Sequence, residues 1–143
     1  MRQIIILLAF LLSSYGFSAQ TENLKNVSET QKISKRVANL FKENKITLAF
    51  NELKPYWPLP SNELESLEEK TIKYINIIES RFGKSINFLK VKNETISDIA
   101  IRETYIIQYT NSAIRLIFTY YKNNKGWIIN AFKWDDSFEE EFK

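Results

Sequence analysis

The chain has 143 residues, enough for one domain with its own core, and its 44% hydrophobic and 14% aromatic content is that of a globular protein. It contains no cysteine and no histidine, which removes disulfides, thiolate nucleophiles, cysteine zinc sites, the commonest general base and the commonest metal ligand. Lysine and arginine number 20 against 17 acidic residues and are spread along the chain, without the basic stripe that tracks phosphates, which argues against nucleic acid as a partner.

Met1 and Arg2 give a positive start, Ile4 to Leu12 an unbroken apolar run, and Ser13 to Gln20 a small and polar exit. This is the order of a secretory signal peptide, and the run is too short to span a bilayer, which takes about 20 apolar residues. Residues 1–19 are read as a leader, with the mature chain starting at Ala19 or Gln20 and forming one domain over 20–143. The expectation is an exported protein, periplasmic or secreted, with no stable membrane anchor after cleavage. Loss of Arg2 leaves the mature chain near neutral.

From Ser28 the period becomes helical. Ile33, Val37, Leu40 and Phe41 share a face, with Ser28 and Gln31 as a capping box, and this first helix ends near Asn44. Ile46, Ala49, Phe50 and Leu53 predict a second, short helix stopped by Pro55. In Lys54 to Pro60, three prolines fix the backbone around Tyr56 and Trp57, either as a rigid connector that plugs the core or as a ligand-facing loop. A long helix follows, capped by Ser61 or Asn62, with acids early, bases late and Gly83 at its end. Leu64, Leu67, Thr71, Tyr74, Ile78 and Phe82 form its apolar stripe, and Ile72, Ile75 and Ile77 widen it, which predicts burial over much of its circumference.

Four strands are predicted after it: Ile86 to Val91, then Ile99 to Tyr109, Ala113 to Tyr121 and Trp127 to Trp134, with turns at Asn93-Glu94, Thr110 to Ser112 and Asn123 to Gly126. The fold class is therefore α+β, N-terminal helices packed on a curved antiparallel sheet of about four strands, with the core over about 28–135. Neither sheet face is wholly polar, so the second face is expected to meet a partner or a twin subunit in a homodimer. Phe138 and Phe142 are spaced to clip a final turn onto the body, and Glu139 to Glu141 read as a solvated tail.

On the second strand Glu103, Tyr105 and Tyr109 share one face and Arg102 points to the other. A carboxylate desolvated beside tyrosine hydroxyls could work as an acid or base, which makes Glu103 and Tyr105 weak catalytic candidates; solvation of Glu103, or its pairing across strands with Arg115, is the alternative. Tyr56, Trp57, Tyr105, Tyr109 and Trp127 are the ligand-binding candidates. No cofactor is implied, and no residue set marks a metal site.

The segments Arg115 to Tyr121 and Gly126 to Asp135, with a tryptophan opening the last strand, together with the order of helices and strands, resemble the nuclear transport factor 2-like superfamily, whose cone is related in outline to cystatin-like folds. The resemblance covers Ser28 to about Asp135. Pro55, Pro58 and Pro60 stand where many members have a short strand. It implies a cone that binds a small apolar ligand or a protein partner, and members include both enzymes and non-catalytic modules. The function expected here is an exported non-catalytic binding or interaction module. The alternatives are a small-substrate enzyme using Glu/Tyr acid-base chemistry in the cone and an inhibitor or immunity-type protein.

Overall fold

A computed structural model describes residues 21–143; the predicted leader lies outside the described residues. The elements run α1 (Val27–Lys42), α2 (Ile46–Leu53), α3 (Ser61–Phe82), β1 (Ser85–Ile96), β2 (Ala100–Tyr109), β3 (Ala113–Asn123) and β4 (Gly126–Asp135), with short 3-10 turns at Lys54–Tyr56 and Phe138–Phe142. The strands form one antiparallel meander in the order β1-β2-β3-β4. This is the predicted α+β arrangement.

Local chemistry explains the boundaries and corrects several of them. Asn26, not Ser28, caps α1: its side chain accepts from the Glu29 N–H at 3.0 Å, satisfying a first-turn donor. Asn44 takes a positive φ of 55° at the break into α2, a conformation that asparagine tolerates. Pro60 precedes α3 without a side-chain cap, and Gly83 ends the helix at φ 87°. The first strand extends past Asn93-Glu94, and the chain reverses instead at Ser97, whose φ of 47° forms the tight turn.

Packing rotates α3 relative to its sequence stripe. Leu64, Thr71 and Ile75 are buried, whereas Leu67 and Tyr74 are exposed along with Ile77. The helix therefore presents one narrow face to the body rather than most of its circumference, because only the side facing α2 and the last strand is covered. The Trp134 indole N–H donates to Thr71 Oγ1 at 3.2 Å and fixes that contact.

Inside, Phe132 is ringed by Phe41, Phe50, Trp57 and Phe118 at centroid distances of 5.0–6.3 Å. Edge-on and tilted aromatic contacts of this kind add to the area they bury. The interior between helices and sheet is thus filled with rings.

Three register shifts curve the sheet, with the extra residues Ile86 and Val91 on β1 and Asn130 on β4. Val91 has a chemical consequence. Residues two apart on a strand ordinarily share a face, but the bulge sets Lys90 opposite Tyr105 and Lys92 opposite Thr104. Lys90 therefore serves the helix side of the sheet and Lys92 the outer side.

The outer side is partly covered by the chain's own end. Arg115 forks onto Asp135 with two 2.8 Å bonds and reaches Glu141 with a third at 2.8 Å, while Lys92 meets Glu141 at 2.9 Å. Glu141 is therefore a clamp, not part of a solvated tail. Phe142, at 85% exposed, does not clip the turn to the body; charge pairing holds it instead. Beyond the turn, Ile96 and Tyr121 leave an apolar row open on the same face.

At the other margin an N-terminal arm crosses the body. The Glu22 N–H donates to the Pro55 carbonyl at 2.8 Å, and Leu24 and Trp127 exchange two 2.8 Å backbone bonds. Gly126 allows the crossing: at its φ of 137° a Cβ would lie 2.4 Å from the Leu24 carbonyl oxygen.

Candidate functional site

Alternation along β2 sends Ile101, Glu103, Tyr105, Ile107 and Tyr109 toward the helices, where all five are buried. Glu103 is 0% exposed. Its nearest charge is Lys90, with Nζ 3.2 Å from Oε2, and neither carboxylate oxygen has an aligned hydrogen bond. Burial raises the Glu103 carboxyl above its ordinary value, while Lys90 and the Ser34 hydroxyl pull it down without reversing the shift. Arg115, the partner considered from sequence, serves the outer face and pairs with Asp135 and Glu141.

Beside Glu103 lies a second polar unit. The Ser34 hydroxyl donates to the Thr30 carbonyl at 3.2 Å and shares a 2.7 Å bond with the Tyr120 hydroxyl. Thr30, Ser34 and Tyr120 are all buried. Burial raises the Tyr120 phenol far out of its usual range. Tyr105 is pushed up to about 12, first by burial and then by the Glu103 charge. Both phenols therefore stay protonated at neutral pH and cannot serve as bases.

The remaining sequence candidates are dispersed. Tyr109 is buried with an unpartnered hydroxyl, and burial followed by the Glu79 charge raises it to about 12. Trp57 is buried against Phe132 and Tyr56 packs partly buried on the core. Trp127 lies under the N-terminal arm at the start of β4. Tyr105 and Glu103 are neighbours on one strand; Tyr56, Trp57, Tyr109 and Trp127 do not converge on them.

Open grooves lie at the surface. One of about 690 Å³ runs along Pro55, Trp57, Pro58, Leu59 and Leu64, so Trp57 contributes an edge to it. Another, of about 410 Å³, lies between α1 and β1 and is lined by Lys32, Lys35, Arg36, Asn39 and Phe88. Among the described residues, no three metal-binding side chains converge.

No family model, curated protein or solved structure matches this chain. The site is therefore read from its own chemistry alone.

Sequence reasoning missed Lys90, Ser34 and Tyr120 around Glu103, and the basic wall on α1. The wall had a signal: Lys32, Lys35, Arg36 and Asn39 fall at i, i+3, i+4 and i+7, one stripe of a helix. A count along the chain hides this clustering because helical neighbours are not sequence neighbours. Lys90 had no comparable signal, since it shares the face of Phe88 but the bulge at Val91 puts Lys92 on the opposite one, so the two lysines cannot be assigned from spacing alone.

Proposed function

We propose that the chain is an exported, non-catalytic binding or interaction module of the nuclear transport factor 2-like type, periplasmic or secreted. The leader pattern supports export, and no described helix is long and apolar enough to cross a membrane. Helices followed by a bulged four-stranded meander support the family reading. The observation that carries the binding reading is the filled interior: rings close around Phe132 and Glu103 is sealed beneath Lys90. A substrate has no open route to that carboxylate, so contact with a small ligand or a protein partner falls to the surface grooves. The open apolar row at Ile96 and Tyr121 is the place for a homodimer contact on the sheet.

A second reading, a small-substrate enzyme, is favoured by one feature: a buried carboxyl raised by desolvation is the usual form of a general acid. Native mass spectrometry of the mature protein, purified gently from the exported fraction, separates the two. The expected result is a retained small molecule or partner that survives in the Glu103→Gln and Tyr105→Phe variants. A bare chain, or a turnover abolished by Glu103→Gln, would sink the binding reading.

A further inference from the structure

The groove between α1 and β1 combines three features. Its α1 wall carries Lys32, Lys35 and Arg36, and its floor includes Phe88, partly buried and stacked on Tyr105 at 6.5 Å. Among the described residues neither Lys32 nor Lys35 pairs with a carboxylate, and Arg36 engages Glu52 through Nε alone, at 3.0 Å. Lys90 stands two residues beyond Phe88 on the same face of β1, and the acid it meets, Glu103, is fully buried. The groove mouth is therefore cationic: two of its lysines have no carboxylate partner, and Arg36 shares its charge with the surface acid Glu52 while its terminal nitrogens stay available. A volume of about 410 Å³ suits a small organic molecule, for which an aromatic floor supplies area and a few charged groups set orientation.

We infer that this groove binds a small amphipathic anion, an aromatic or apolar body resting on Phe88 with a carboxylate or phosphate head held by Lys32, Lys35 and Arg36. The inference rests on the binding-module reading and names its ligand class and site. Glu103 supports it indirectly. Lys90, next on the Phe88 face of β1, is paired with it at 3.2 Å, so this fully buried acid presents no charge to the ligand.

The test is an NMR titration of the isotope-labelled mature protein with 1-naphthoate, 1-naphthyl phosphate and the neutral 1-naphthalenemethanol. Shifts should centre on Lys32, Lys35, Asn39 and Phe88, and at least one anion should bind about tenfold or more tighter than the alcohol, a difference of about 1.4 kcal/mol. Comparison of the two anions tells a carboxylate site from a phosphate site. The double variant Lys32→Glu, Lys35→Glu, with an unchanged melting temperature, should lose about tenfold or more in that affinity. Equal binding of the neutral alcohol, shifts centred on the Trp57 groove, undiminished binding by the double variant, or no shift with either anion at about 10 mM would each overturn the assignment. The binding-module reading stands or falls separately, on what the exported protein retains with no probe added.

Discussion

Burial of Glu103 beneath Lys90 ties its proton to the folded state. Its carboxyl is raised relative to the unfolded chain, so folding takes up a proton between the ordinary value of 4.5 and the raised one. The associated stability is complete below the unfolded value and is lost as pH rises through the folded value. Glu103→Gln should therefore remove a segment of falling stability above pH 4.5 and be more stable than the parent at neutral pH by about 1 kcal/mol, since it removes a buried charge with poor hydrogen bonding. Lys90 can return its head to water in that variant. Thermal denaturation of both proteins across the pH range checks this; a variant that is less stable at neutral pH with the parent's pH slope would contradict it. The alternation of β2 made the burial of Glu103 legible from sequence. Its partner was not legible, because which residue of β1 comes to lie beside Glu103 depends on the pairing register, and that register is shifted by the unpaired Ile86 and Val91.

Single extra residues and short turns decide how the elements use their charges. Val91 divides Lys90 from Lys92, one going to Glu103 and the other to Glu141. The C-terminal turn then depends on Arg115, whose hydrogen bonds hold Asp135 below the usual carboxylate range. Burial pushes Glu141 up, but Lys92 and Arg115 together hold it below its ordinary value. Both acids contribute stability that is present above their unfolded values and lost as pH falls through their depressed ones. Arg115→Ala should cost about 2 kcal/mol, because it leaves two partly buried carboxylates short of donors. It should also free the turn, read as faster carboxypeptidase release of Phe142. Arg102→Ala breaks an equally well-formed fork onto Glu94, at 3.1 and 2.8 Å, but on an exposed surface, and should cost less than about 1 kcal/mol. Equal losses from the two variants would refute the distinction. The sequence shows that a turn follows Asp135, but its acids read as solvated because their cations arrive from β1 and β3.

For the whole molecule, the order of helices and strands follows from periodicity and turn residues, and the fold class with it. The rotation of α3 and the cover over the outer sheet face do not, because both depend on contacts between distant segments. One aromatic cluster joins α1, α2, the proline-rich connector, β3 and β4. Such a core predicts a single cooperative transition. Trp57, Trp127 and Trp134 report from the connector, the arm and the α3 contact, so their fluorescence and the far-ultraviolet circular dichroism should change together in urea. Separated transitions would mean that the helices and the sheet unfold as distinct units.

The arm that crosses from Glu22 to Leu24 also orders events in time. Asn23 and Asn123, a hundred residues apart, share a 3.1 Å hydrogen bond beside the Leu24 and Trp127 pair. Closing a loop of that length in an otherwise open chain would cost about 4 kcal/mol in entropy, whereas a sheet already assembled brings the two ends together. In a chain emerging amino end first, Leu24 therefore waits for the last strand to gain its backbone partner. The arm becomes a check on the arrival of β4, and a chain stalled before Trp127 leaves Leu24 unpaired as the mark of an unfinished molecule.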